Sequence, residues 1–265
     1  MKAKTNYLVE TSAVPVAMGE STPNHCRDFA HATVDGRYCT SIYIRKEFMR
    51  RWICDYIDLA FRVDHYQSLD AAVYHLEQEF KPRALKTGLH ALASMLKQKG
   101  AVRNTRDMAK EFARLAIGKL HEFDRMFRNR TRNSCGCQIG GKILRVDFNT
   151  LFDDLRVFVE AVGSVDDCPV NEFLRLGAFG RASMLLEKEG VANTGSGKNL
   201  AALHEKRKWI ACRDCATIGD CVIALDQPRS CCLVHIDADF DVLCGAAGRE
   251  HKRVPSQRAS EKGAG

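Results

Sequence analysis

The apolar residues of this chain follow two different periods. Two short runs, "YLV" at 7–9 and "CCLVHI" at 231–236, are typical of buried strands, and each is followed by residues that can start a helix. Between them, apolar residues recur every three or four positions, which predicts helices with one buried face. These stripes are Leu85, Leu89, Leu92, Leu96; Phe112, Ala116, Leu120, Phe123, Phe127; and Leu151, Leu155, Phe158, Val162. Strands that lead into helices indicate an α/β fold with a parallel sheet flanked by helices.

The positions of these patterns predict how the chain is divided. Both strand-like runs lie near its ends, so we expect 1–64 and 206–265 to form one α/β domain that holds both strands in one sheet. Residues 65–205 are then a basic, mostly helical insertion or cap. A break is expected at "GVANTGSGKN" (190–199) because of its Gly, Asn and Ser content. Its "GSGK" is not a phosphate-binding loop, because Ala192 and Asn199 occupy positions that require Gly and Ser or Thr.

Composition narrows the class of protein. The chain has 265 residues, 45% of them hydrophobic, enough for a substantial core. It contains no secretory signal and no run of about 20 apolar residues, so we expect a cytosolic protein that does not enter a membrane. The 12 cysteines then read as reduced thiols. A structural zinc on Cys135, Cys137, Cys212 and Cys215 is the other interpretation, but the wide separation and unusual spacing favour buried thiols.

Positive charge is concentrated in one segment. Residues 81–145 contain 16 Lys and Arg against four acidic residues, a net charge of +12, and the rest of the chain is net acidic. Such a segment predicts a surface for a polyanion, whereas the other interpretation is a set of solvated helix faces. If Arg125, Arg128, Arg130 and Arg132 contact phosphates, affinity for single-stranded RNA should fall steeply with salt.

Five acidic residues stand at the edges of the apolar runs. Glu10 and Asp237 directly follow the two predicted strands, whose carboxyl ends converge on one crevice in a parallel sheet. Asp220 opens the helical "DCVIAL", Asp239 precedes the last helix, and Glu47 lies about two turns into a helix capped by Thr40 or Ser41. Each acid alone is typical of a helix cap or an exposed side chain. Together they indicate a site for a divalent cation.

Three segments resemble the motifs of PIN-domain nucleases. "YLVETSAV" resembles their opening strand and first acid, "TSIYIRKEF" their second motif with a helical Glu, and "GDCVIALDQPRSCCLVHIDADFDVL" their closing pair of motifs. The likeness covers roughly residues 4–60 and 215–250, and the basic helical middle has no counterpart in the minimal domain.

The resemblance implies a metal-dependent nuclease, most simply a ribonuclease. Its carried-over metal ligands and catalytic residues are Glu10, Glu47, Asp220 and Asp237, with Asp239 as an accessory ligand of Mg²⁺ or Mn²⁺. A cation there would generate the attacking hydroxide and neutralise charge on the phosphate. Thr11 and Ser12, beside the first acid, are the implied nucleic-acid contacts. The resemblance also implies RNA, or else a structured DNA, as the substrate, and an antitoxin or another protein as a partner.

Two positions depart from the family pattern. Glu10 stands where Asp is usual, and His235 stands where Thr or Ser is usual. An extra methylene moves a carboxylate further than many metal sites tolerate. The alternative function is therefore a catalytically weak or inactive PIN-like module that binds nucleic acid or protein.

Overall fold

The structure is a computed structural model that describes most of the chain. The described residues are 5–79, 104–127, 131–132, 134–144, 147, 150–163, 169–177, 180–206 and 212–256. Within these ranges no helix is both long and apolar enough to cross a membrane. The stripe from Leu85 to Leu96 lies outside them.

A five-stranded, all-parallel sheet forms the centre of the fold. Its strands are β1 (Asn6–Val9), β2 (Arg37–Ser41), β3 (Thr131–Arg132), β4 (Cys231–His235) and β5 (His251–Arg253). The spatial order is β3-β2-β1-β4-β5, and β1 pairs with both β2 and β4. The prediction that "YLV" and "CCLVHI" share one parallel sheet is confirmed.

Burial explains why β1 and β4 are continuous apolar runs. Helices cover both faces of an all-parallel sheet, so a central strand has no solvent-facing side. All five residues of β4 are buried, and Leu8 and Val9 of β1 are fully buried. The side chain of Gln227 stabilises the start of β4, because its Nε2 donates to Cys231 O (2.8 Å) and Glu250 O (2.6 Å).

Helices account for most of the remaining described residues. In chain order α1 to α13 are Val14–Ala17, Pro23–Ala32, Ile42–Phe48, Cys54–Tyr66, Leu69–Gln78, Thr105–Met126, Leu151–Gly163, Val170–Arg175, Arg181–Leu186, Gly195–Lys206, Cys212–Thr217, Gly219–Asp226 and Asp239–Ala246. A π-helical turn, Met49–Ile53, joins α3 to α4. The predicted stripes on α6 and α7 are confirmed as buried faces, with Phe112, Leu120 and Leu155 at most 1% exposed.

The chain divides into two compact units. Unit 1 comprises Met1–Glu47, Met126–Gly141 and Ser164–Gly265, and contains the whole sheet. Unit 2 comprises Phe48–Arg125 and Lys142–Gly163, and is helical in its described part. These bounds differ from the predicted division at residues 64 and 206. Whether 65–205 forms a separate insertion stays a prediction.

Candidate functional site

The strand order places a crevice at the carboxyl end of β1. The chain forms β2 and β3 on one side of β1 and then crosses to form β4 and β5 on the other. Connections that leave a strand in opposite directions leave a gap above it, where open α/β sheets bind ligands. Glu10 lies at this point, and its backbone N–H continues the ladder by donating to Val234 O (3.1 Å).

The carboxyl group of Glu10 is buried and close to other acids. The residue is 2% exposed, and its two oxygens accept from the backbone N–H groups of Ser12 (2.6 Å) and Ile236 (3.3 Å). Burial raises the pKa of Glu10 to about 8, the negative charges of Asp220 and Glu47 add to the rise, and the two backbone hydrogen bonds oppose it. Without a cation this carboxyl group is mostly protonated at neutral pH.

Glu47 reaches the same place from α3. Ser41 caps this helix, because its Oγ accepts from Ile44 N (3.1 Å), which confirms the predicted cap. Glu47 is 5% exposed and its Oε2 accepts from the Thr11 hydroxyl at 2.7 Å. Its Oε1 lies so near Gly219 that a Cβ there would collide with it. The glycine before Asp220 therefore makes room for the carboxylate of Glu47.

The start of α10 holds two further acids. Ser196 Oγ donates to Asp220 Oδ2 (3.0 Å), and Gly195 N donates to Asp239 Oδ2 (2.8 Å). Burial raises the pKa of the Cys221 thiol to about 12, and the charges of Asp220 and Asp239 both contribute to the rise. The carboxylates of Asp220 and Asp239 therefore lie near the same thiol.

These two contacts were not predicted, because the composition of residues 190–199 indicates a break. Part of that segment is helical: α10 begins at Gly195, and Thr194 Oγ1 accepts from Gly197 N (3.0 Å) as its cap. A Thr before a helix start is a recognisable capping signal. The glycines and asparagines around it gave the segment the composition of a turn.

Asp237 has a different environment from the other acids. It is exposed after β4, and its Oδ1 accepts from Asp239 N at 3.0 Å. The described structure thus brings Glu10, Glu47 and Asp220 together, which we call the acid cluster, with Asp237 and Asp239 beside the start of α13. All five acids are described, and no three of them have oxygens within 4.8 Å of one another.

An acid cluster without three closely spaced carboxylates suits Mg²⁺ or Mn²⁺ better than Ca²⁺. Ca²⁺ takes six to eight oxygen ligands at short range, whereas Mg²⁺ keeps several waters and uses one or two carboxylates. The donor set of the acid cluster, all carboxylate oxygens from three separate elements, fits a hydrated Mg²⁺ or Mn²⁺. Glu10 and Asp220 are the residues that would hold it, with Glu47 adjoining.

The two residues after Glu10 have separate roles in the described contacts. Thr11 is 1% exposed and its hydroxyl holds Glu47. Ser12 is exposed, and its backbone N–H holds Glu10. Both residues therefore donate a hydrogen bond to a carboxylate of the acid cluster. Their contact with nucleic acid stays a prediction.

A second group of metal-binding side chains lies at β4 and β5. His235 ends β4, His251 begins β5, and Asp241 lies in the first turn of α13; we call them the histidine cluster. Their ligand atoms all lie within 4.8 Å of one another. Sequence reasoning noted His235 only as a departure from a motif. His251 and Asp241 carried no signal, because their proximity depends on the pairing of β5 with β4.

The predicted zinc thiols are buried together. Cys135, Cys137 and Cys215 are at most 2% exposed, and burial raises the pKa of the first two. Lys46 Nζ donates to Cys215 Sγ at 3.3 Å, and this ammonium would repel a metal ion. The side chain of Cys212 lies outside the described residues. These contacts favour the buried-thiol interpretation.

The predicted basic surface is only partly described. Arg125 and Arg132 are exposed, while Arg128 and Arg130 lie outside the described residues. The groove that contains Arg125 on α6 is also lined by Arg114 and Lys119, but Glu111 and Glu122 lie among them. Glu111 pairs with Arg114 at 3.2 Å. This face has mixed charge, as an ordinary solvated helix does.

A more strongly cationic groove lies in unit 1, outside the predicted segment. It encloses about 440 Å³, and its charged lining consists of Arg181, Lys188, Arg229 and Arg249. Burial lowers the pKa of Arg249, and the charges of Arg229 and Arg181 lower it further, so these cations crowd one another. Arg229 precedes β4, so the groove lies at the opposite end of that strand from Asp237.

No protein-family model, curated protein or solved structure matches this chain at a significant level.

Proposed function

We propose that this protein is a metal-dependent nuclease, most simply a ribonuclease with a PIN-like fold, and that its active site is the acid cluster with Asp237 and Asp239. The observation that carries the proposal is the convergence of Glu10, Glu47 and Asp220 from three elements at the carboxyl end of β1. Like-charged groups buried together are unfavourable unless a cation joins them.

The residues at this site have different roles. Glu10 and Asp220 would hold Mg²⁺ or Mn²⁺, and such an ion supplies acidity to water and positive charge beside a phosphate. Thr11 and Ser196 orient Glu47 and Asp220 through hydrogen bonds of 2.7 and 3.0 Å. Asp237, which is exposed after β4, would be a further ligand of the ion, as the resemblance implies. Fixed hydrogen bonds of this kind reduce the reorganisation that catalysis would otherwise require.

The cationic groove supports a polyanionic substrate. The groove has four cationic side chains and no acid among its described lining residues, so it should attract phosphates. The five residues of β4 separate the groove from Asp237, a distance of roughly 17 Å at about 3.3 Å per residue. A single strand of RNA several nucleotides long could therefore contact both. We expect the enzyme to act in the cytosol, where thiols such as its ten described free cysteines stay reduced.

One observation favours the alternative of an inactive binding module. Glu10 already has a hydrogen-bond donor for each of its oxygens, and its raised pKa of about 8 opposes the ionised form that a metal needs. If the free energy needed to ionise Glu10 exceeds the free energy gained by binding the ion, no metal binds. The protein then only binds nucleic acid or another protein. Glu10→Asp separates the two functions, because the shorter side chain should keep or improve cleavage by an active enzyme.

The proposal is tested by cleavage of single-stranded RNA, with structured DNA as a second substrate, in Mg²⁺ or Mn²⁺ and after chelation. We expect metal-dependent cleavage that Asp220→Asn reduces at least about 100-fold, because an anionic ligand is lost. Asp35→Asn is the matched control: Asp35 is exposed, and its φ of 58° is one that Asn also adopts. Equal activity of the two variants, or no cleavage by wild type and Glu10→Asp, would leave only the binding module.

A further inference from the structure

The histidine cluster has the dimensions of a metal site. The distance from His235 Nε2 to His251 Nδ1 is 3.1 Å, and each of these nitrogens lies 3.5 Å from Asp241 Oδ1. Tetrahedral Zn²⁺ with bonds of 2.0–2.1 Å separates its ligand atoms by about 3.3–3.4 Å. The three atoms therefore already stand at the corners of one face of such a tetrahedron.

A hydrogen bond outside this triangle orients the buried imidazole. His235 Nδ1 lies 2.9 Å from Asp237 O, and a carbonyl oxygen can only accept, so Nδ1 carries the proton. In the neutral ring Nε2 then presents its lone pair to the other two ligands. Metal-binding histidines are held in this way by a backbone carbonyl or a carboxylate. His235 is fully buried and packs against Phe240, with ring centroids 5.4 Å apart.

The register of β4 and β5 brings the remaining ligands to the same face of the sheet. Leu233 pairs with His251, and His235 pairs with Arg253. Side chains two positions apart in a strand lie on the same face, so all four side chains share the face that α13 covers. Arg253 Nη1 donates to Asp241 Oδ2 at 3.1 Å. This contact holds the carboxylate by the oxygen that faces away from the two histidines, and Oδ1 is left for a metal.

We propose that His235, Asp241 and His251 bind one Zn²⁺ ion, at a site separate from the acid cluster. Two imidazole nitrogens and one carboxylate are a donor set that favours Zn²⁺ over Mg²⁺, which prefers oxygen ligands. Three protein ligands leave a fourth position for water, on the side where His251 and Asp241 are partly exposed. The ion ties β5 and α13 to the end of β4. The inference does not depend on the proposed nuclease.

The test is titration of metal-free protein with Co²⁺, a spectroscopic substitute for Zn²⁺, followed by competition with Zn²⁺. We expect one equivalent to bind with the intense visible bands of a tetrahedral centre, and Zn²⁺ to displace it and raise Tm. His251→Gln and Asp241→Asn should each weaken binding at least about tenfold. His31→Gln, at an exposed histidine in α2, is the matched control and should bind as wild type does.

The contrary outcomes are equally definite. Tight binding that His251→Gln and Asp241→Asn leave unchanged, or bands typical of thiolate ligands, would assign the ion to other residues and overturn the proposal. Loss of the Co²⁺ bands in Asp220→Asn would place the ion in the acid cluster instead. If wild type shows neither tetrahedral bands nor a rise in Tm with Zn²⁺, the three residues form only a hydrogen-bonded cluster.

Discussion

The acid cluster and the histidine cluster occupy the same sheet but respond to burial in opposite ways. Burial and neighbouring acids raise the pKa of Glu10 to about 8, whereas burial lowers the pKa of His235 to about 4. Both groups are therefore driven towards their neutral forms. The histidine cluster reaches a satisfied state through its own hydrogen bonds and the pairing of Arg253 with Asp241. The acid cluster also has hydrogen-bond donors, but the repulsion among its negative charges is relieved only by a proton or a cation.

The comparison shows why one sheet can offer two kinds of site. Carboxylates from strand ends and helix starts supply hard oxygen donors at the crevice above β1. Imidazoles on the adjacent edge supply nitrogen donors. Divalent ions choose between oxygen and nitrogen ligands by hardness, so the two sites should select different metals. Three changes test this contrast.

The largest expected effect concerns the pH dependence of stability in metal-free protein. Unfolded Glu10 releases its proton near 4.5 and folded Glu10 near 8. Between these values the folded state keeps a proton that the unfolded state has lost, so stability falls as pH rises through this window and levels off above about 8. Glu10→Gln cannot ionise. Relative to wild type it should gain about 4 kcal/mol between pH 4 and pH 9.

Urea unfolding in the presence of a chelator measures this difference. Glu77→Gln, at an exposed glutamate in α5, should follow wild type across the whole range. Saturating Mg²⁺ should flatten the wild-type dependence, because an ion replaces the proton. Parallel stability curves for Glu10→Gln and wild type would show that Glu10 titrates normally and that the contrast with His235 is wrong.

A smaller effect is expected from filling the space beside Glu47. A Cβ at Gly219 would collide with Glu47 Oε1, so Gly219→Ala should cost about 1–3 kcal/mol and displace that carboxylate. Gly118→Ala is the matched control, since no atom lies within 4 Å of its added Cβ in α6. That change should stabilise by about 0.5–1 kcal/mol through helix propensity. The denaturant midpoints of both variants measure these changes. A stabilising effect of Gly219→Ala would contradict the close packing of the acid cluster.

The smallest change removes one hydrogen bond from the acid cluster. Ser196→Ala deletes the donor to Asp220 Oδ2, so metal-dependent cleavage should fall about tenfold, equivalent to about 1.4 kcal/mol. Binding of Co²⁺ at the histidine cluster should not change. Ser183→Ala is the comparison variant; Ser183 lies in α9, and its Oγ is 3.5 Å from His204 Nε2. If Ser196→Ala cleaves as fast as wild type, the start of α10 does not position Asp220.

Local patterns were enough to predict much of unit 1. The apolar runs of β1 and β4, the cap of α3 at Ser41, and the start of α12 near Asp220 all follow from neighbouring residues, because burial and capping depend on local composition. The same reasoning assigned 190–199 to a break. There a single capping threonine outweighed the surrounding turn residues, and the resulting helix supplies the donors to Asp220 and Asp239.

The sequence by itself determined the type of fold, since short continuous apolar runs separated by helical stripes are typical of a parallel sheet covered by helices. It also marked the acids that follow the strands. Only the tertiary structure decided which side chains meet: Ser196 with Asp220, Gly219 with Glu47, and His251 with His235 and Asp241. These contacts join residues up to 172 positions apart in the chain, and their proximity arises from strand order and register, which no local pattern encodes.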